Sequence, residues 1–310
     1  MINGKILVTD GMDIETLQKE LGDCFHVDYR PGIRQEELEQ ACQGVDAIIV
    51  KPRVRLDKGL LERAGIKFIG VAGNGTDNID LAFAKEKGID VRNMPGESVD
   101  SVAEYTLTVL GVMARNIIRA HQSLKGMKWE KDLLIGSQLK GRTLGVLGMG
   151  KIGRAVALRA DRGLGMQVVG YDPYVKQGDI DGFECRMIEG LGDFLGEADF
   201  ISVHVPLIEE TRNLIGSGEI GKMREGVVIV NVSRAQLFEK EALIAGLRSG
   251  KIRGYVTDVH YQEPVGDEDR ELIGLENVIC TPHIGAQTRE AQRSLAEKLA
   301  KLVIERLGNQ

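Results

Sequence analysis

The chain alternates short apolar runs with longer stretches in which apolar residues recur at helical spacing. In its first hundred residues the runs typical of strands are residues 5–9, 27–29, 47–50, 67–72 and 90–92, and the helical patterns are residues 14–21, 36–42 and 80–87. Strands that alternate with helices along a chain form βαβ units. This part of the chain therefore predicts one doubly wound parallel sheet with helices on its faces.

A second pattern of the same kind follows a long helical stretch. Residues 102–124 have apolar residues near helical spacing, and we expect this single helix to cross to a second domain. Six further strands are predicted at residues 143–147, 167–171, 200–205, 227–232, 255–259 and 278–280, a number that suits a dinucleotide-binding sheet. The last stretch, residues 288–307, is an amphipathic helix that we expect to pack back on the first domain. The predicted fold class is α/β, with residues 1–98 plus 287–310 in one doubly wound domain and residues 99–286 in the other.

Length, charge and cysteine spacing narrow the classes of protein that the chain can be. At 310 residues it exceeds the size at which one core usually stops growing, which agrees with two domains. The net charge of −6 and the absence of a long Lys/Arg cluster argue against nucleic acid as the main partner. No apolar run is long enough to cross a bilayer and the first residues lack a signal-peptide pattern, so we expect no membrane association and a cytoplasmic location. The cysteines Cys24, Cys42, Cys185 and Cys280 are too widely separated to predict a disulfide framework or a metal site.

A glycine-rich turn joins the strand at residues 143–147 to the helical pattern after it. It reads Gly148, Met149, Gly150, Lys151, Ile152, Gly153, which is the G-x-G-x-x-G pattern of dinucleotide-binding proteins. Gly148 would make the tight turn, Gly150 would let the backbone approach a pyrophosphate, and Gly153 would let the helix pack close to the sheet. The free N–H groups at the start of that helix favour phosphate binding. A glycine-rich turn with a capping aspartate and no ligand is the alternative interpretation.

Asp172 ends the next predicted strand, 19 residues beyond Gly153. A carboxylate at this position can accept hydrogen bonds from the hydroxyl groups of an adenosine ribose, and it would repel a 2′-phosphate. We therefore expect NAD as the cofactor, although the nearby Lys176 keeps NADP open. Tyr171 and Pro173, which flank the carboxylate, are predicted cofactor contacts as well.

Three titratable residues follow the ends of later predicted strands, where open α/β sheets bind their ligands. Arg234 could clamp a substrate carboxylate with its planar guanidinium group. His283 could exchange a proton with a substrate oxygen, because histidine titrates near working pH, and Glu263 could stabilise its imidazolium form. Each residue alone is compatible with a structural role. Together they suit hydride chemistry on a small 2-hydroxy or 2-oxo acid, whereas we expect His204 to be structural or to line the cofactor.

The sequence resembles the D-2-hydroxyacid dehydrogenase family along nearly its whole length. The segments that carry the resemblance are residues 73–80 (GNGTDNID), 93–96 (NMPG), 101–104 (SVAE), the glycine-rich turn, 204–207 (HVPL), 231–234 (NVSR), 258–264 and 281–286. The resemblance implies a flavodoxin-like substrate domain and a Rossmann NAD-binding domain with the active site between them, and a homodimer formed through the cofactor domain. It also implies that Arg234, Glu263 and His283 are the catalytic set.

The resemblance assigns binding roles to further residues. The backbone N–H groups of Ala72, Gly73, Asn74 and Gly75 are expected to bind the substrate carboxylate, and Asp258 the nicotinamide amide. The remaining predicted cofactor contacts are His204, Val205, Pro206, Thr211, Val232, Ser233 and Gly285. No metal is expected.

Within the family the chain looks most like the D-3-phosphoglycerate dehydrogenase branch, in a form without the C-terminal regulatory domain. It departs from that branch at Val71, where an arginine is common, and at Lys51-Pro52, which replaces an Arg-Ser pair. Lys51 and Arg53 are predicted to take the place of these basic groups at a substrate phosphate. His260-Tyr261 also replaces a more common Phe-containing pair.

Three alternatives stay open at this point. A glyoxylate/hydroxypyruvate reductase would use the same chemistry on a substrate without a phosphate. An NAD-sensing protein resembling the C-terminal-binding corepressors would keep the fold and act by binding partners. A formate- or phosphite-oxidising relative is the third, and Glu263 argues against the formate enzymes, which have glutamine there.

Overall fold

The computed structural model of the chain describes residues 4–308, which divide into two compact units. The first unit runs up to Ser98 and resumes at Ala286, and the second is Val99–Gly285. The strands are β1 (Gly4–Val8), β2 (Phe25–Tyr29), β3 (Ala47–Val50), β4 (Phe68–Val71), β5 (Asp90–Asn93), β6 (Thr143–Leu147), β7 (Gln167–Tyr171), β8 (Arg186–Met187), β9 (Phe200–Val203), β10 (Val227–Asn231), β11 (Ile252–Thr257) and β12 (Val278–Cys280). The helices are α1 (Ile14–Leu21), α2 (Gln35–Ala41), α3 (Lys58–Ala64), α4 (Leu81–Glu86), α5 (Val99–Ala114), α6 (Ile117–Lys125), α7 (Lys151–Leu164), α8 (Leu191–Glu197), α9 (Ser217–Lys222), α10 (Lys240–Ser249), α11 (Arg270–Ile273) and α12 (Arg289–Leu307).

The first unit is built on a five-stranded parallel sheet in the order β2-β1-β3-β4-β5. Its central strands β3 and β4 are buried along their whole length, as expected of a parallel sheet covered on both faces. Helix α12 packs on this sheet as predicted for the C-terminal helix. A Cβ atom on Gly70 in β4 would lie 2.8 Å from Leu299 Cδ2, so the glycine lets helix and strand approach closely.

The second unit contains a seven-stranded parallel sheet in the order β12-β11-β10-β9-β6-β7-β8. The chain order reverses between β6 and β9, which is the switch point where open α/β sheets bind ligands. The predicted fold class, an α/β protein with two parallel sheets, is confirmed. Of the predicted strands in this sheet, six are present within a few residues. The seventh, β8, is only two residues long and pairs with the edge of β7.

The single helix predicted at residues 102–124 was wrong. Helix α5 ends at Ala114 and α6 begins at Ile117, because Asn116 adopts a left-handed conformation with φ of 54°. Asparagine tolerates this conformation better than most residues. The side-chain amide of Asn116 donates to the carbonyl oxygen of Ile135 at 3.1 Å, which draws the chain out of the helix path.

Residues 4–308 contain neither a membrane-spanning helix nor a cluster of metal ligands. No helix in that part of the chain has the length and apolar character needed to span a membrane. No group of three or more His, Cys, Asp or Glu residues there is arranged to hold a metal ion.

Candidate active site

The carboxyl edge of the seven-stranded sheet gathers most of the candidate residues of the second unit. Because all its strands are parallel, the segments that follow them emerge on one side of the sheet. These segments carry the glycine-rich turn after β6, Asp172 after β7, His204 after β9, Arg234 after β10, Asp258 and Glu263 after β11, and His283 after β12. The edge thus brings together residues that are up to 135 positions apart, from Gly148 to His283.

The glycine-rich turn has the backbone geometry that its three glycines allow. Gly148 has φ of +95°, and a Cβ there would lie 2.8 Å from the carbonyl carbon of His204. A Cβ on Gly153 would lie 2.0 Å from the carbonyl oxygen of Gly148, so only glycine fits where α7 crosses the turn. A Cβ on Gly150 would meet no atom within 4 Å, which leaves open space at the start of the helix. Met149 is buried in the core, whereas Lys151 and Ile152 form the first turn of α7.

The side chain of Asp172, which follows β7, is hydrogen-bonded to the glycine-rich turn. Its Oδ2 accepts a hydrogen bond from the backbone N–H of Met149 at 2.9 Å, and its Oδ1 accepts one from Tyr174 at 2.9 Å. A carboxylate can accept about four hydrogen bonds, so both oxygens can still accept from a ligand hydroxyl. Tyr171 packs with its ring centroid 5.9 Å from that of Phe194, and Pro173 follows Asp172 at the strand end.

The loop after β9 is joined to the loop after β10. The hydroxyl of Ser233 donates to the carbonyl oxygen of Val205, and Val232 packs partly buried against the sheet. Thr211 donates to the carbonyl oxygen of Pro206 at 2.6 Å and accepts from the N–H of Ile208 at 2.9 Å. These bonds give the predicted contacts of both loops defined positions along the same edge.

His204 has a ring nitrogen that the protein leaves unsatisfied. Burial lowers the pKa of His204 to about 3, so the imidazole is neutral at physiological pH. Its Nε2 is buried and has no hydrogen-bond partner among residues 4–308. Buried polar atoms are nearly always hydrogen-bonded, so this atom fits a position that a bound group would complete.

Together these observations fit a dinucleotide. The open space above Gly150 and the N–H groups at the start of α7 match a pyrophosphate. The free acceptor positions of Asp172 match the hydroxyl groups of a ribose.

Arg234 is positioned by the buried side chain of Asn231, to which sequence analysis gave no role. The Asn231 amide donates to the Arg234 carbonyl oxygen at 2.9 Å, and its Oδ1 accepts from the N–H of Ser233 at 3.0 Å. Tyr255 OH lies 3.1 Å from the same amide nitrogen. The turn formed by residues 231–234 begins at the last residue of β10, so it places Arg234 at the carboxyl edge of the sheet. The Nη1 atom of Arg234 donates to the carbonyl oxygen of Ser233 at 2.7 Å.

Glu263 and His283 form a direct pair. His283 Nδ1 lies 2.8 Å from Glu263 Oε2, and both side chains are about one-quarter to one-third exposed, at 25% and 35%. Burial on its own would raise the pKa of Glu263, but the hydrogen bond and charge of His283 and the N–H of His260 outweigh it, so the pKa is lower than usual. An ionised carboxylate only accepts hydrogen bonds, so Nδ1 carries the proton and Nε2 is the ring atom that remains for a substrate.

The turn that carries His283 is itself constrained. His283 has φ of 55°, which is unusual for a residue with a side chain and is often found at functional sites. Asp258 holds the next residues: its Oδ1 accepts from the N–H of Ile284 at 2.8 Å and from the Thr281 hydroxyl at 2.6 Å, and its Oδ2 accepts from Gly285 at 2.6 Å. The carboxylate predicted to bind a nicotinamide amide therefore already has three donors, which leaves about one acceptor position.

The residues predicted to bind substrate lie in the first unit. The N–H of Ala72 is bonded to the carbonyl oxygen of Val50 at 2.8 Å, so it has no capacity for a substrate carboxylate. The N–H groups of Gly73, Asn74 and Gly75 have no acceptor within the described part of the chain. The prediction of a carboxylate-binding loop therefore narrows to these three groups.

Lys51 and Arg53, predicted to bind a substrate phosphate, are largely used by the protein itself. Lys51 Nζ donates to Gly11 O at 2.7 Å and lies 3.3 Å from Gln292 Oε1, and burial lowers its pKa. Arg53 donates through Nε to Asp10 at 2.8 Å and through both Nη atoms to carbonyl oxygens, of Ile33 and Thr9, at 2.6 and 2.7 Å. One donor of Lys51 and two of Arg53 remain for a ligand.

Comparisons with known proteins agree with this geometry. Residues 107–285 match the model of the D-isomer specific 2-hydroxyacid dehydrogenase NAD-binding domain. The chain is 39% identical over 96% of its length to D-3-phosphoglycerate dehydrogenase of Methanocaldococcus jannaschii, of which it spans only 57%. It is 42% identical to hydroxypyruvate reductase of Thermotoga maritima, with 89% of each chain covered.

A solved structure of similar fold also shows the cofactor. D-lactate dehydrogenase of Aquifex aeolicus, in complex with NAD and lactic acid, is 28% identical and superimposes with a TM-score of 0.85 over 99% of this chain and 98% of that one. The match of the family model to more than half of the chain decides the assignment. The chain belongs to the D-isomer specific 2-hydroxyacid dehydrogenase family, whose NAD-binding domain forms its second unit.

Proposed function

We propose that the protein is an NAD-dependent oxidoreductase that interconverts a small D-2-hydroxy acid and the corresponding 2-oxo acid. The observation that carries this proposal is the His283–Glu263 pair at the carboxyl edge, 2.8 Å apart, on the segments that follow the adjacent strands β11 and β12. NAD supplies or accepts the hydride when it is bound. The chain's own residues have to bind the substrate carboxylate and move one proton.

The proton is the task of His283. In the direction of reduction, the imidazolium form of His283, whose charge the ionised Glu263 balances at Nδ1, would donate its Nε2 proton to the oxygen on C2 and become neutral. In the direction of oxidation, neutral Nε2 would take the proton of the hydroxyl group. Arg234 would bind the carboxylate of the substrate with its planar fork, and the N–H groups of Gly73, Asn74 and Gly75 are the second proposed carboxylate ligands.

Two substrate pairs remain under this proposal. The D-3-phosphoglycerate pair is our first candidate, because relatives of that name match nearly the whole chain, and Lys51 and Arg53 retain three donors between them. Hydroxypyruvate and glyoxylate form the second, because most donors of these two cations are already bonded and the similar hydroxypyruvate reductase is covered over most of its length.

A panel of 2-oxo acids separates the candidates. Oxidation of NADH at 340 nm would be followed with 3-phosphohydroxypyruvate, hydroxypyruvate, glyoxylate, pyruvate and 2-oxoglutarate, and repeated with NADPH. Preference for 3-phosphohydroxypyruvate supports the first candidate, and a Lys51→Ala variant should then lose this preference while still reducing hydroxypyruvate. Preference for hydroxypyruvate or glyoxylate supports the second. Absence of turnover with all five, together with retained NADH binding, would favour a corepressor-like binding protein instead.

We further propose a homodimer formed through the segment 117–135 of the second unit. None of the residues of α6 is buried. In the segment after it, Met127 is 92% exposed to solvent and Trp129 is 82% exposed. Its two ends are held together by the bond of Asn116 to Ile135 and by the N–H of Ser137, which donates to Ala114 O at 2.7 Å. Exposed apolar patches of this kind mark interaction surfaces, and a second copy of the chain would cover it.

Sedimentation velocity of the wild type and of a Met127→Glu/Trp129→Glu variant tests the dimer. The wild type should sediment as a dimer and the variant as a folded monomer. A wild-type monomer at micromolar concentration, or an unchanged dimer in the variant, would exclude this interface.

A further inference from the structure

We propose that His260 is a positioning residue that ties the loop carrying Glu263 to the loop carrying His283, an inference that rests on the function proposed above. The two loops follow the neighbouring paired strands β11 and β12, whose last paired residues are Thr257 and Cys280, so the strand pairing ends before Glu263 and His283. Proton transfer by His283 depends on the distance between the two side chains. A residue that fixes both loops at once would set that distance.

His260 contacts both loops with different atoms. Its backbone N–H donates to Glu263 Oε1 at 3.1 Å, so it holds the carboxylate oxygen that His283 does not use. Its ring Nε2 lies 2.9 Å from the carbonyl oxygen of Thr281. The same carbonyl oxygen accepts the backbone N–H of His283 at 3.0 Å.

The chemistry of the ring bond fixes the tautomer. A carbonyl oxygen only accepts hydrogen bonds, so Nε2 of His260 carries the proton and donates it to Thr281. His260 is 6% exposed, and its Nδ1 is buried without a hydrogen-bond partner within residues 4–308. The bond to Thr281 is therefore the one hydrogen bond that this buried ring makes within the described residues. Burying a polar ring costs free energy that an apolar side chain would not, which indicates that the bond itself has a role.

The other side of the His283 turn is held independently. Thr281 donates its hydroxyl to Asp258, and the hydroxyl of Tyr105 in α5 pairs with it as well. Asp258 thus fixes the hydroxyl and the two residues after His283, whereas His260 fixes the carbonyl group and connects it to Glu263. Of these contacts, the one made by His260 joins the two members of the pair.

Substitution of the ring at constant size tests this role. His260→Phe keeps a planar ring but removes the donor, and His260→Gln keeps a donor at a similar distance from the backbone. We expect His260→Phe to lower kcat roughly 10- to 100-fold, since small misplacements of reacting groups have effects of this order, and to leave KM for NADH within about twofold. His260→Gln should recover most of kcat.

Tyr261→Phe is the matched control. It removes a neighbouring part-buried hydrogen bond, from Tyr261 OH to Phe238 O at 2.9 Å, which does not contact the pair. We expect this variant to lower the melting temperature but to retain kcat. Equal loss of kcat in Tyr261→Phe and His260→Phe would mean that any weakening of the loop acts in this way, and it would overturn the proposal.

A second readout separates failure of this inference from failure of the proposed function. Titration of the Glu263 carboxyl carbon by NMR needs no turnover, and the backbone N–H of His260 is one of the groups that lower the pKa of Glu263. Variants at position 260 keep this N–H, so the titration measures whether loss of the ring bond moves the loop and draws the N–H away from the carboxylate. His260→Phe should raise that pKa, while His260→Gln and Tyr261→Phe should leave it as in the wild type. If the wild type reduces no 2-oxo acid but His260→Phe still raises the pKa of Glu263, the function is wrong and the positioning role stands. Wild-type kcat and an unchanged pKa in His260→Phe would overturn it, and His260→Met decides the question if the phenylalanine variant does not fold.

Discussion

His283 Nδ1 and Glu263 Oε2 lie 2.8 Å apart although 20 positions separate the two residues in the sequence. The distance follows from the fold, because β11 and β12 are adjacent parallel strands whose following loops emerge at one edge. The pair gives one ring nitrogen a fixed partner and leaves the other for a substrate.

The charge of Glu263 should stabilise the fold in a pH-dependent way. Its pKa in the folded protein lies below the ordinary value of 4.5, so its contribution to stability is complete above that value and is lost as the pH falls through the lowered pKa. Glu263→Gln should therefore melt at a lower temperature than the wild type at pH 7, and the difference should shrink toward zero below pH 4. Thermal unfolding followed by circular dichroism at both pH values measures this. A difference that is constant with pH would show that the charge of Glu263 has no part in it.

Arg234 should act through its planar fork as well as its charge. We expect Arg234→Ala to lower kcat/KM on the order of 100-fold or more, and Arg234→Lys to recover only part of it, since lysine cannot bind a carboxylate in a bidentate manner. Steady-state kinetics with the best substrate of the panel measures both. Kinetics within a factor of two of the wild type in Arg234→Ala would remove this residue from the site.

Substitution by alanine should affect a different property at each of two glycines of the turn, stability at Gly153 and NADH binding at Gly150. In Gly153→Ala the new Cβ would lie 2.0 Å from Gly148 O, and we expect a loss of about 3 kcal/mol or more of unfolding free energy. In Gly150→Ala the Cβ would enter open space, so the protein should fold normally and instead bind NADH more weakly. Urea unfolding and fluorescence titration with NADH measure the two effects. Normal NADH binding by a folded Gly150→Ala variant would place the pyrophosphate elsewhere.

Asp172 should control the choice between NADH and NADPH. Asp172→Asn removes the charge that repels a 2′-phosphate and keeps one of the two oxygens that accept from the N–H groups of Met149 and Tyr174. We expect the ratio of kcat/KM for NADPH to that for NADH to rise at least about tenfold, which corresponds to roughly 1.4 kcal/mol. An unchanged ratio would mean that another residue, such as Lys176, sets the preference.

The alternation of apolar runs predicted most of the fold because a parallel sheet buries its strands on both faces. The runs at β3 and β10 contain almost no polar residue, so both the strands and their parallel pairing could be predicted. The break between α5 and α6 could not, since apolar spacing continues across Arg115 and Asn116 and the left-handed turn depends on a bond to Ile135, 19 positions away. Strand β8 is too short to produce any pattern.

The candidate site was predictable to the extent that its residues follow strand ends. Arg234, Glu263 and His283 stand out in this way, and the structure places them on the segments after three neighbouring strands. His260, Asn231 and Tyr105 could not be assigned a role, because their importance lies in bonds to backbone groups and side chains that only the fold brings near. The same limit explains why the sequence could not show that Lys51 and Arg53 use most of their donors within the protein: their partners Gly11, Gln292 and Asp10 are distant in sequence.

Transfer of deuterium from the cofactor to the product is the sharpest test of the proposed hydride transfer. NADH that carries two deuterium atoms at the reactive carbon of its nicotinamide would be incubated with the enzyme and the best 2-oxo acid of the panel other than glyoxylate, whose product has no stereocentre. The product would be examined by mass spectrometry and chiral chromatography. We expect the wild type to form a product of D configuration with one deuterium at C2, and His283→Ala to form it much more slowly. A product without deuterium, a product of L configuration, or equal rates in the two proteins would contradict it.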